Sequence, residues 1–165
     1  MELKRNKIRN TQYAIQHTKY AFTLVEILIV VAILGILAAI VLPTLQGNIT
    51  EAKEAAAKDN LRILRNVIEL YAAQHNGVPP GYPANNTHMT PQQVAFKNAM
   101  LREKYLNALP ENTFNNKVDL LMIANNTPFP SEPTGNYGWV YQPRTKTIKL
   151  NWLGTDKDGV RYYDY

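Results

Sequence analysis

The chain has 165 residues, 45% of them hydrophobic and 19% charged, a globular composition that leaves room for one modest domain and excludes a disordered tail. Its net charge of +5 is concentrated before Phe22, where Lys4, Arg5, Lys7, Arg9 and Lys19 stand against Glu2, while the other 13 basic residues face 12 acidic ones. That near balance supplies no basic binding face, so no nucleic-acid partner is expected.

The first predicted element is apolar. Residues 27–42 contain no charged or strongly polar side chain, and extended back to Phe22 the run reaches roughly twenty residues, enough for a helix to cross ~30 Å of hydrocarbon. The basic cluster ahead of it stays on the cytoplasmic side, so residues 1–21 are expected inside and everything after Pro43 outside, with a single pass between them. The chain has no cysteine, although this topology exports most of it to a compartment that permits disulfides. A secretory signal places its small-residue cleavage site after the apolar core. Here the small residue, Ala21, comes before the core, so a cut there would remove the basic arm and leave the apolar helix at the new N-terminus.

These residues carry a family resemblance. The run "AFTLVEILIVVAILGILAAIVLP" resembles the class III signal of type IV pilins and of the pseudopilins of type II secretion, most closely the major pseudopilin. The resemblance implies three parts: a cytoplasmic leader, 1–21, removed by a prepilin peptidase; a transmembrane and filament-core helix, 22–43; and an exported α+β head, 44–165. It also implies cleavage between Ala21 and Phe22, with Ala21 standing where Gly is usual, and N-methylation of Phe22. A carboxylate near the membrane centre costs ~2.5–3.5 kcal/mol, so Glu26 needs a partner or a place near the interface. The partner the resemblance implies is the new amino group of Phe22 on an adjacent filament subunit. The alternative is a Glu26 that snorkels at the interface of a monomeric anchor. Gly35 and Pro43 also fall at family positions. Pro43 lacks a backbone N–H and should weaken or bend the helix near the outer interface, and the resemblance implies that this segment can melt in filaments.

After Pro43 the run "NITEAKEAAAKDNLRILRNVIELYAAQHNG" predicts one long amphipathic helix, capped at its end by Asn76 and Gly77. Ile49, Ala52, Ala56, Ile63, Val67, Leu70 and Tyr71 recur at spacings of three and four and predict its packing face. A Pro- and Gly-rich loop follows. A second helix is expected from Thr90 as cap, with Pro91 in the first turn and Gln93 completing a capping box, to about Glu103 or Tyr105. "GWVYQ" and "TIKLN" around "PRTK" predict an antiparallel hairpin over 137–151, with Trp139, Tyr141, Ile148, Leu150 and Trp152 packing onto the long helix. An aromatic ligand platform is the sharper but less favoured reading of the same residues.

No catalytic constellation emerges. His17, His75 and His88 lack helical metal spacing, Ser131 has no nucleophile-elbow context, and there is no thiol or phosphate loop. The segment "LNWLGTDKDGVRYYDY" is the one cluster with ligand potential. Asp156, Asp158 and Asp164 offer hard oxygens suited to calcium, and the segment is similar to the C-terminal loop of major pseudopilins, where calcium takes the place of a disulfide. The alternative is a surface turn at Asp158 and Gly159 with solvated carboxylates. The N-x-T triplets at Asn48, Asn85 and Asn125 are assigned no glycan.

The expected fold is therefore α+β and pilin-like: a long N-terminal helix, its hydrophobic half transmembrane, packed on a small C-terminal antiparallel sheet. The resemblance implies a structural, non-enzymatic subunit of a type II secretion pseudopilus, assembled from the inner membrane into a helical filament that drives protein export, with its head periplasmic. The implied partners are copies of itself, prepilin peptidase, an inner-membrane assembly platform with a cytoplasmic ATPase, and minor pseudopilins. Two alternatives stay open: a type IV pilin for adhesion, motility or DNA uptake, and a membrane-anchored binding protein that never polymerises.

Overall fold

The computed structural model describes residues 22–165, and of 42–46 the backbone alone. The chain divides after Pro43 into two units, and the fold is α+β as expected. The first helix, α1 (Leu24–Gln74), keeps its helical backbone through Gly35 and Pro43. Its end follows the expected chemistry. Asn76 and Gly77 take positive φ, 54° and 83°, and the Gly77 N–H reaches back to the Ala72 carbonyl at 2.8 Å, the long closing bond of a Schellman cap.

Within the second unit, α1 buries Glu54, Ala57, Leu61, Leu64, Ile68, Tyr71 and Ala72, a row at spacings of three and four. This corrects the predicted face. Ile49, Ala52, Ala56 and Leu70 are exposed, Ile63 and Val67 are half-buried, and only Tyr71 of that set is fully buried. Two apolar rows lie side by side on this helix, and the buried one contains Glu54, which made it look polar. Its carboxylate is satisfied because the Tyr162 hydroxyl donates to Glu54 Oε1 at 2.8 Å, and a buried polar group is tolerated when hydrogen-bonded.

The second helix, α2 (Gln93–Arg102), starts later than expected. Its N-cap is Gln92, without a side-chain capping bond, so the Thr90 and Gln93 capping box does not form. The Gln92 N–H is held by the Gly81 carbonyl at 2.8 Å, which ties the preceding residues to the loop. α2 buries Phe96, Ala99 and Met100; Val94 and Leu101 face solvent.

The expected hairpin forms from β2 (Trp139–Gln142) and β3 (Thr147–Leu150), joined by a 3-10 turn at Pro143–Thr145. They pair antiparallel, with Trp139 opposite Leu150 and Tyr141 opposite Ile148. A third strand was not anticipated. β1 (Leu120–Met122) pairs parallel with β2, so the sheet is mixed rather than antiparallel, in the order β1, β2, β3. The central strand β2 is buried on both faces. One face packs Trp139 and Tyr141 with Ile148 and Leu150 against Leu61, Leu64, Ile68 and Tyr71 of α1 and Phe96 and Met100 of α2. The other, smaller face packs Val140 with Ile123 and Tyr163. Trp152 is half-buried at the edge of the main core. The aromatic residues are thus core, not an open ligand platform. Gly138 permits the approach of the neighbouring backbone, since a Cβ there would lie 2.2 Å from the Lys117 carbonyl oxygen.

Tyr141 carries the one buried side-chain polar atom without a hydrogen-bond partner among the described residues, its hydroxyl, and burial pushes its pKa well up. An unpaired buried hydroxyl costs free energy that a phenyl ring does not. Tyr141→Phe is therefore expected to leave the head as stable or to stabilise it by about 1 kcal/mol, read by denaturant titration. A clear loss of stability would show that the hydroxyl has a partner.

Candidate functional site

The N-terminal end of α1 is built by local hydrogen bonding. The Thr23 N–H donates to Glu26 Oε2 at 2.7 Å and the Thr23 hydroxyl donates to the same oxygen at 2.9 Å. In return the Glu26 N–H donates to Thr23 Oγ1 at 3.2 Å, and the Ile27 N–H to the Thr23 carbonyl at 3.3 Å. This is a capping box, T-x-x-E, which satisfies two otherwise free donors of the first turn. The pattern was visible in "TLVE", but the sequence reading sought a partner for Glu26 only on another subunit. The carboxylate also lies beside the positive end of the helix dipole, which favours negative charge there.

Beyond that turn the helix is apolar and uncovered. Leu24–Val41 has a mean hydropathy of 3.1 with none of its length buried, and Phe22 is 80% exposed. By length and composition it qualifies to cross a membrane. At Gly35 no described atom lies within 4 Å of where a Cβ would stand, so nothing described within this chain requires a glycine there. Ala21 and the leader lie outside the described residues, as does His17.

The C-terminal loop was the other candidate. Asp156 is buried, its side chain 3% exposed, whereas Asp158 and Asp164 are exposed. The three carboxylates are not drawn together. Asp156 Oδ1 accepts the N–H groups of Asp158 at 3.0 Å and Val160 at 2.9 Å. Its Oδ2 accepts the Tyr165 hydroxyl at 3.0 Å and the Lys58 ammonium at 3.4 Å. Asp164 faces Lys149 at 3.0 Å and Arg161 at 3.7 Å. Among the described residues no group of three or more His, Cys, Asp or Glu side chains is placed to hold a metal ion.

Burial pushes the Asp156 carboxyl up, but the Val160 N–H, Tyr165 hydroxyl, Asp158 N–H and Lys58 outweigh it and hold the pKa below the usual aspartate value. A carboxyl depressed in the folded state contributes stability that is full above its unfolded pKa of about 3.9 and is lost as pH falls through the lower folded value. Asp156→Asn should therefore melt below the wild type at neutral pH, with the gap closing as the solution is acidified below about pH 4. A gap that stays constant with pH would contradict this.

Of the other polar residues singled out in the sequence, His75, Asn85 and Asn125 are engaged within the fold. The His75 ring stacks on Tyr71 with centroids 3.8 Å apart, and its Nε2 lies 3.2 Å from Glu103 Oε2. His88 and Ser131 are exposed. Asn85 accepts the Tyr71 hydroxyl and Asn125 the Tyr82 hydroxyl.

The prokaryotic N-terminal methylation motif matches residues 17–42, which take in the capping box and the exposed apolar helix. The type II secretion system core protein G of Aeromonas hydrophila is 30% identical over 105 residues, covering 61% of this chain and 71% of that protein. The core protein G of Escherichia coli (strain K12) is 36% identical over 58 residues, 35% of this chain and 40% of that protein. That of Vibrio cholerae is 40% identical over 58 residues, with the same coverage of 35% and 40%; the match thus spans two fifths of these last two relatives. No solved structure matches the chain. With the motif on its apolar helix and the first of these relatives matched over most of its length, the chain belongs to the family of the type II secretion system core protein G.

Proposed function

We propose that the chain is the pseudopilin subunit of a type II secretion pseudopilus: a structural, non-enzymatic protein held in the inner membrane by residues 22–43 and polymerised into a filament that drives export. The observation that carries this reading is the methylation motif, which falls on an uncovered apolar helix whose first turn holds Glu26. Prepilin peptidase cuts between Ala21 and Phe22, the new amino group is methylated, and the head, 44–165, faces the periplasm. Glu26 then pairs with the Phe22 amine of a neighbouring copy, and the helices pack together where lipid had covered them. Gly35 and Pro43 let the packed helix bend.

That exchange gives little free energy, because lipid tails are as apolar as the helices they leave. Assembly therefore draws on an inner-membrane platform and a cytoplasmic ATPase, with minor pseudopilins as further partners. The test is co-expression with a type II secretion machinery, followed by shearing and high-speed sedimentation. Sedimenting filaments composed of this chain are expected. A processed chain that stays in the membrane as a monomer would leave a non-polymerising anchored protein instead.

A further inference from the structure

The residues of the C-terminal loop do not fit the calcium ion that the family resemblance implies. Calcium takes six to eight oxygen ligands. Here both oxygens of Asp156 already accept two hydrogen bonds each, one of them from an ammonium, and Asp164 is held by Lys149 and Arg161. A divalent ion beside Asp156 would have to displace Lys58 or sit next to its charge.

We propose that a clasp made only of protein groups closes this loop onto α1, with Lys58 standing where a cation would, so that the head's stability does not depend on a divalent metal. Four α1 residues along one side of the helix reach the loop, each with a different partner. Glu51 meets Lys157 at 3.0 Å, Glu54 accepts the Tyr162 hydroxyl, Lys58 meets Asp156, and Arg65 donates to the Tyr165 carbonyl. Lys58 also lies 4.2 Å over the Tyr165 ring, a favourable cation–π placement. The charges are crossed: acidic Glu51 faces basic Lys157, and basic Lys58 faces acidic Asp156. Sliding the loop by one helical turn would set Asp156 against Glu54. The clasp thus fixes register as well as closure, with the buried Asp156 carboxylate paired within it.

The test is the thermal unfolding midpoint of the full chain in detergent micelles, in millimolar calcium and in excess chelator, together with calcium titration calorimetry. A ligand that binds only the native state raises the midpoint. The wild type is expected to melt at the same temperature in both solutions and to give no saturable calcium heat. Lys58→Met and, as a milder change, Tyr165→Phe are expected to lower the midpoint by about 3–8 °C, equally with and without calcium. A wild-type midpoint that rises with calcium, saturable binding lost in Asp156→Asn, or a Tyr165→Phe midpoint equal to the wild type would each overturn the proposal.

Discussion

Glu26→Ala is expected to reduce sheared filaments at least tenfold while leaving the head's unfolding midpoint and the chain's membrane insertion unchanged. Insertion is not at risk, because the change removes a charge that is costly in lipid. The head is not at risk either, because Glu26 belongs to the first unit and every hydrogen bond given above for its carboxylate is to Thr23. Both Thr23 donors converge on Oε2, so in the proposed filament Oε1 would be the atom that meets a donor from a second copy. The proposed pairing would give one side chain two roles, the capping box seen within the chain and a countercharge between chains. Glu26→Gln separates them, since the amide oxygen can still accept from Thr23 but carries no charge to meet an amine. Filament loss in both variants assigns assembly to the charge; loss in Glu26→Ala alone would assign it to the cap. Wild-type filament yield in Glu26→Ala would contradict the pairing outright.

The second large effect is confined to the head. Trp139→Ala is expected to cost about 3–5 kcal/mol. The ring is 1% exposed at the centre of the main core, between α1 and the hairpin, and its Nε1–H donates to the Pro110 carbonyl at 3.0 Å. Truncation leaves both a cavity and a carbonyl without its donor. Against a total stability of about 5–15 kcal/mol for a domain, that is a large fraction. The head should unfold at a much lower denaturant concentration, whereas the proposed cleavage between Ala21 and Phe22, away from this core in sequence, should proceed normally. An unchanged denaturation midpoint would show that the core does not depend on this ring.

Legibility in the sequence followed the range of the interactions. The apolar helix, the Asn-Gly cap and the β2–β3 hairpin are local patterns, and each appears where its residues suggested. Strand β1 did not declare itself, because three apolar residues pairing parallel show no alternation. The face of α1 was misjudged because the true row contains Glu54, whose partner Tyr162 lies 108 residues further on. The contact of Lys58 with Asp156 spans 98 residues and that of Glu51 with Lys157 spans 106. Without those distant partners in view, the C-terminal aspartates left both a calcium site and a solvated surface turn open. The capping box was the reverse case: the local signal was present at Thr23 and Glu26, and attention to a remote partner hid it.

The central claim is that this chain enters the filament pathway, and the most direct test is the intact mass and N-terminal sequence of the protein recovered from membranes with and without its prepilin peptidase. The account predicts a peptidase-dependent new N-terminus at Phe22, heavier by one methyl group. An unprocessed chain, or a cut after the apolar core near Ala39, would contradict it and leave an anchored or secreted head with no route into a filament.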